Sequence, residues 1–239
     1  YFYYYVFIFF IVILLYNHGG HVSYKTVSFK GSKRKLLTYI EKRIKEVEAT
    51  EVFDGFSGTG IVSAHLRFLG YKVYASDKMP SCNLFASVFL NGFNLTAVAK
   101  HVENINWLTG RAGWITHNYS GERKRLIKGV NQVESRPLGF TEANAMKLDV
   151  ARDYAELIAD ENDRNAVIFS IILAMDKVFN NTNDQKSCLK DWTAAALSDI
   201  TFEIPTLTQG KRGKVYSGDI LSVPKKSYDV VYLDPPYTA

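Results

Sequence analysis

Cysteine is nearly absent from this chain: Cys82 and Cys188 are the only two. They stand too far apart for a zinc or redox spacing, so a disulfide scaffold is excluded and a reducing compartment fits. Both are expected to be ordinary thiols. Proline numbers only 6 and no internal repeat is visible, which removes collagen-like, solenoid and Pro-rich linker architectures. No charge sign dominates either. The net charge of +5 permits a polyanionic partner without requiring one, because solubility alone also needs net charge.

With 239 residues, 47% hydrophobic and 22% charged, the chain is globular in composition. It is long enough for one large α/β domain or for a core domain carrying a sizeable insertion. Residues 1–16, "YFYYYVFIFFIVILLY", are apolar or aromatic without interruption, and no methionine precedes Met79. As a helix this run would span roughly 24 Å, short of the ~30 Å hydrocarbon core. It also lacks the basic flank and small-residue cleavage site of a signal peptide. The readings open at this point are a marginal membrane anchor, a hydrophobic arm, or sequence outside the working protein. The last is the expectation for residues 1–20, which leaves a cytoplasmic protein with no membrane partner. The chain turns polar at Asn17-His18-Gly19-Gly20.

Beyond that point, apolar residues at Leu37, Ile40, Ile44 and Val47 predict an amphipathic helix over 34–48. "TEVFDGFSGTGIVSAHLRFLGYKVYASD" parses as a strand over 51–53, a glycine-rich turn, a helix from Ile61 and a stop at Gly70. A second strand then begins at Lys72 and ends at Asp77. Such a βαβ unit predicts a parallel sheet with helices on its faces. A further helix is expected over 81–91, stopped by Gly92. Over 100–150 the periodicity loosens, and Arg111, Arg123, Lys124, Arg125, Lys128 and Arg136 outnumber Glu122 and Glu134. Helices are expected near 143–159 and 165–179. Strands return in "KVYSGDIL" and "YDVVYLDPPY".

The glycine run "FDGFSGTG" sits between a strand and a helix, where a ligand approaches the backbone closely. Gly58 and Gly60 are not followed by the third glycine of a dinucleotide fingerprint, and no lysine makes it a P-loop. Asp77, closing the second strand, is suitably placed for ribose hydroxyls. A nucleoside-containing cofactor with no critical pyrophosphate fits, and S-adenosylmethionine is the obvious one. The plain alternative is a turn that binds nothing.

"VVYL" reads as a buried-type strand that delivers Asp234 to the carboxyl edge of the sheet, where open α/β sheets bind ligands. Pro235 and Pro236 hold the chain extended and remove two N–H donors, leaving carbonyls aimed outward. Asp234 adds a carboxylate acceptor and Tyr237 a flat face. A planar ring bearing an exocyclic amine suits this set: the carboxylate and the Pro235 carbonyl each accept one amine hydrogen while the ring stacks on Tyr237. Such stacking is worth roughly 1–3 kcal/mol per base. Holding both hydrogens turns the nitrogen lone pair toward an incoming methyl group, so the step is positioning and electrostatics. Otherwise the segment is a Pro-Pro turn after a strand.

Taken together, residues 24–239 resemble the amino-group DNA methyltransferases, among them the alpha-order adenine methylases typified by the Dam methylase. "FKGSKRKLL" is similar to the family's N-terminal motif, which implies that Phe29 and Lys33 touch the cofactor. "DGFSGTG" resembles the cofactor loop, implying roles for Asp54, Phe56, Gly58 and Gly60, with Asp77 as the ribose-binding acid. "DPPY" matches the catalytic loop, on Asp234, Pro235, Pro236 and Tyr237. Asp219, in "YSGDIL", occupies a place where relatives keep an acid near the cofactor's adenine. "GFTEANAMKLDVARDY", "NNT" and "LKDW" resemble restriction-modification members.

The resemblance implies an α/β, Rossmann-like S-adenosylmethionine-dependent fold with a mostly parallel sheet. Residues 21–100 would form the cofactor part, 101–210 a target-recognition insertion with helices, and 211–239 the return to the catalytic loop. Family members carry further strands after that loop, so the C-terminal strands are expected to be missing here. The implied activity is methylation of the adenine 6-amino group in duplex DNA after base flipping. Arg123, Lys124 and Arg125 are the candidate phosphate contacts. A cognate restriction endonuclease is an implied partner, and no metal is expected. The rival readings are an RNA base-amine methyltransferase and an inactive cofactor- or DNA-binding module.

Overall fold

A computed structural model describes residues 24–28, 31–126, 133–181, 189, 191–224 and 226–236, with backbone alone over 122–126 and 133–137. The apolar run at the start lies outside the described residues, as do Phe29, Cys188 and Tyr237. A 3-10 turn, Lys33–Leu36, leads into α1 (Leu37–Lys45). Ile40 and Ile44 are buried on its inner face. Val47, expected on that face, is 58% exposed. The helix has already ended at Lys45, and Glu48 takes a left-handed φ of 48°, so the apolar stripe cannot continue.

The sheet follows the βαβ reading: β1 (Glu51–Asp54), α2 (Ile61–Phe68), β2 (Lys72–Asp77) and α3 (Pro80–Asn91). Much later come β5 (Lys214–Ser217) and β6 (Val230–Tyr232). The strand order is β5-β2-β1-β6, and every pairing is parallel. Val52, Val73 and Ala75 are fully buried in the core shared with α2 and α3. On the other face the Phe53 and Tyr228 rings stack at 5.0 Å. β6 corrects the buried-strand reading of "VVYL": Val231 and Leu233 are 51% and 54% exposed. Among the described strands β6 is an edge, and an edge strand has no neighbour to cover its outer side.

The loosened stretch is more regular than its sequence suggests. It holds the end of α4 (Leu95–Trp107), then α5 (Trp114–Tyr119) and an antiparallel hairpin of β3 (Glu122–Leu126) and β4 (Val133–Pro137). α6 (Glu142–Glu156) and α7 (Glu161–Val178) agree with the expected helices to within a few residues. Side-chain caps explain where α4, α6 and α7 start: Asn94, Thr141 and Asp160 each accept from a backbone N–H three residues on.

α7 is the hub of the helical layer. Its Phe169 packs against Phe85 and Phe89 of α3, with ring centroids 5.1 and 5.5 Å apart. The chain then returns past a short helix, α8 (Ala194–Leu197), toward the sheet. Two side-chain amides guide it. Asn144 donates to the carbonyls of Ala196 and Ser198 and accepts from Ile200 N, while Asn106 bonds Phe202 in both directions. Gly213 N then donates to Leu90 O at 3.0 Å and sets β5 beside β2.

Candidate active site

Because all four strands are parallel, their carboxyl ends lie along one edge. β2 and β6 flank β1 on opposite sides, so the chain reverses direction across the sheet at β1, the place where such folds open a ligand crevice. Three sequence-predicted segments meet there: the glycine loop after β1, Asp77 ending β2, and Asp234 two residues past β6.

The loop is bound to both neighbours. Gly55 N donates to Tyr232 O at 2.9 Å, and Ser57 N donates to Ser76 O at 3.0 Å. Gly58 and Gly60 have φ of 51° and 74°, in the left-handed region that glycine enters without strain. A Cβ on Gly60 would also press to 3.0 Å from the Phe89 ring. Gly55 is tight for another reason. A Cβ there would fall 2.5 Å from Ile220 Cδ1 and 2.7 Å from Leu233 Cδ2. Its small size therefore lets the cofactor-loop candidate sit against the chain leading into the Asp-Pro-Pro segment.

Asp77 is half-buried and joined to the loop. Its Oδ2 accepts from Gly58 N and its Oδ1 from Met79 N, both at 2.9 Å. Asn83, which sequence reading passed over, brackets the same residue: its Oδ1 accepts from Asp77 N and its Nδ2 donates to Asp77 O. The same amide reaches Ser217 on β5 at 3.1 Å. Asp219 is exposed beyond β5 and caps a 3-10 turn, Ile220–Ser222, through Leu221 N. Gly218 N donates to Asp77 O, so Asp219 stands close to the Asp77 corner.

Asp54 is different from the other acids: it lies beneath the loop, 1% exposed. One carboxylate oxygen accepts from Ser63 Oγ on α2 at 2.7 Å. Burial pushes its pKa up to about 7. The Ser63 hydroxyl and the Phe56 N–H oppose that rise, while the charges of Asp77 and Asp234 add to it. Phe56 is half-buried above it.

Lys33, from the 3-10 turn, reaches the same edge through Asp234. Its ammonium lies 2.7 Å from Asp234 Oδ2, with both side chains less than a fifth exposed, and also donates to Gly31 O at 3.3 Å. Pro235 and Pro236 are exposed. Phe29 and Tyr237, the remaining candidates for this edge, lie outside the described residues. Arg123, Lys124 and Arg125 fall on β3, away from this edge in the chain, and only their strand backbone is described.

One support carried no sequence signal. Asp229, just before β6, accepts from Thr50 N, Thr50 Oγ1 and Glu51 N at 2.7–2.9 Å and pins the start of β6 to β1. Cys82 is buried in α3, and burial pushes its thiol up to about 11, leaving it unreactive. Among the described residues no group of His, Cys, Asp or Glu is arranged to hold a metal ion. No helix among them is long and apolar enough to cross a membrane.

Comparison with known proteins gives this edge a context. The family described as D12 class N6 adenine-specific DNA methyltransferase matches residues 29–239. The type II methyltransferase M.NlaIII of Neisseria lactamica is 27% identical over 229 residues, covering 89% of this chain and 65% of that protein. The modification methylase StsI of Streptococcus sanguinis is 26% identical over 223 residues, covering 87% of this chain and 33% of that protein. The chain thus spans about two-thirds of the first relative's length and one-third of the second's. No solved structure matches it significantly.

Proposed function

Because the chain belongs to the D12 class of N6 adenine-specific DNA methyltransferases, we propose that it transfers a methyl group from S-adenosylmethionine to the 6-amino group of adenine in a specific sequence of duplex DNA, after base flipping. The observation that carries this reading is the convergence of the glycine loop, Asp77 and the Lys33–Asp234 pair on one sheet edge, at the point where strand order reverses.

The residues fit the cofactor. Gly58 and Gly60 put no side chain between the loop backbone and a ligand, and Ser57 Oγ is a buried hydroxyl without a partner among the described residues. Asp77 would take the ribose hydroxyls, Asp219 would lie toward the adenine, and Phe29, Lys33 and Phe56 would enclose the remainder. Asp54 would hold the loop from below. S-adenosylmethionine supplies an electrophilic methyl group on a sulfonium centre.

Asp234 and the Pro235 carbonyl would each accept one hydrogen of the target amine, and Tyr237 would stack on the flipped ring. The amine is not deprotonated before attack; its lone pair is freed by how its two hydrogens are held, and the surplus proton leaves after transfer. Duplex DNA would lie along the insertion, with Arg123, Lys124 and Arg125 on phosphates. The domain division at 21–100, 101–210 and 211–239 belongs to the same reading, as does work in the cytoplasm. Since M.NlaIII and StsI are named as a type II methyltransferase and a modification methylase, a cognate restriction endonuclease is part of the proposal.

The test is transfer of labelled methyl from S-adenosylmethionine to unmethylated duplex DNA by the product of the entire gene, followed by digestion to nucleosides. Label in methylated adenine, lost in Asp234→Ala while DNA affinity persists, is the expected result. Label in RNA would replace the reading with an RNA amine methyltransferase, and no label with retained DNA binding would replace it with an inactive module.

A further inference from the structure

Asp149 is a buried carboxylate, 1% exposed, in the middle of α6. It accepts four hydrogen bonds from the start of α5. Gly113 N, Thr116 N and the Thr116 hydroxyl reach its Oδ2 at 2.9, 2.9 and 2.7 Å, and Ile115 N reaches its Oδ1 at 2.9 Å. Burial would raise its pKa, but these donors outweigh burial and hold the carboxyl below the usual range. Gly113 leaves no room for adjustment, since a Cβ there would stand 2.7 Å from Asp149 Cγ.

The rest of α6 straps the approach to α5 in the same way. Lys147 Nζ donates to the carbonyls of Asn106 and Leu108, Arg111 N donates to Met146 O at 3.2 Å, and Asp153 pairs with the Arg111 guanidinium at 3.1 Å. The far end of α5 is tied down too: Phe140 N donates to Tyr119 O, and Gly121 N to Phe140 O. A helix of six residues has too little internal hydrogen bonding to hold a pose by itself, so its orientation is imposed by α6.

What this clamp presents is an exposed aromatic pair. Trp114 and Tyr119 are 57% and 44% exposed, yet their rings pack on each other with centroids 5.3 Å apart. The chain runs from them directly into Arg123-Lys124-Arg125 of β3. Two exposed rings beside a cationic strand complement a polyanion that carries flat faces. We infer that Trp114 and Tyr119 form a contact platform for the DNA substrate, and that Asp149 is the positioning residue that sets it. This inference rests on the functional reading above and adds the residues that hold the nucleic acid in register. DNA packed on the platform loses ring contact when either ring is removed, and loses register when the clamp is cut.

The experiment uses the product of the entire gene. Trp114→Ala/Tyr119→Ala should raise the KM for duplex DNA by about fivefold or more, with kcat at saturating DNA and the affinity for S-adenosylmethionine unchanged. Asp149→Asn should move the same KM in the same direction with the cofactor affinity again unchanged. In a background where every tryptophan other than Trp114 is replaced by phenylalanine, Trp107 and Trp192 among them, DNA should quench the Trp114 emission with Asp149 intact and quench it less in Asp149→Asn. An unchanged KM in the double aromatic variant overturns the platform. Equal losses in kcat, KM and cofactor affinity in Asp149→Asn show a merely structural role and overturn the positioning assignment. A gene product that transfers methyl to DNA while failing these tests sinks this inference alone, whereas absence of any transfer to DNA sinks the functional reading and this inference with it.

Discussion

The Lys33 ammonium lies 2.7 Å from the Asp234 carboxylate, joining the 3-10 turn before α1 to the Asp-Pro-Pro segment about two hundred residues further along the chain. Neither side chain is more than a fifth exposed, so each offsets part of the other's cost of leaving water. Lys33→Met leaves a part-buried carboxylate without its cation and should cost about 1–2 kcal/mol in urea unfolding. Adding Asp234→Asn should restore much of that stability, because a neutral amide needs no counter-ion, while methyl transfer stays abolished. A double variant no more stable than Lys33→Met would show that the pair contributes nothing to stability.

Asp54 predicts a pH dependence with a definite sign. Its carboxyl is raised from 3.8 to about 7 by burial, so the folded state holds a proton that the unfolded chain releases. The protonated form's advantage is complete below the unfolded value and is lost as pH rises through about 7. The wild type should therefore lose stability from about pH 4 to pH 7 relative to Asp54→Asn, by up to a few kcal/mol. Unfolding free energies measured at half-unit steps check this, and parallel curves would contradict it.

Gly55→Ala should separate stability from activity. The intruding methyl meets Ile220 Cδ1 and Leu233 Cδ2, both ends of side chains that can swing aside. The loss in stability should stay within about 1–2 kcal/mol. Swinging Leu233 aside moves the residue before Asp234, so methyl transfer should fall at least tenfold, a figure on the order expected for small misplacements of a reacting group. Undiminished kcat would mean the loop and the Asp-Pro-Pro segment move independently.

Asp229 contributes to the acid limb of the stability curve. The N–H groups of Glu51 and Thr50 and the Thr50 hydroxyl hold its carboxyl below the usual range. The stability it contributes is present above the unfolded carboxylate value and disappears as pH falls through the lower folded value. Asp229→Ala should lower Tm at neutral pH and shrink the difference from wild type as the solution is acidified. A Tm difference that stays constant down to pH 2 would remove Asp229 from this role.

Neutralising Arg123, Lys124 and Arg125 together should flatten the salt dependence of DNA binding. Each lost phosphate contact reduces the slope of log K against log salt by about 0.9. Titrations at several salt concentrations read this directly, and an unaltered slope would place the phosphate contacts elsewhere.

The sequence by itself determined the parallel sheet and the residues at its edge. Glycines that need a left-handed φ, a strand ending in an acid and an Asp-Pro-Pro run are local signals, because each states what its own backbone must do. The helices over 142–178 were legible for the same reason: their caps and apolar faces are written within the segment. Tertiary structure decided the rest. Nothing local says that Lys33 meets Asp234, that Asp54 faces Ser63 rather than the crevice, or that "VVYL" is an edge strand with Val231 exposed. α5 and its hairpin were unreadable because their order comes from outside, from Asp149 and the hydrogen bonds at Phe140. A short segment held by another element's side chains need carry no period of its own, and only the packing that brings α6 against it shows why it folds.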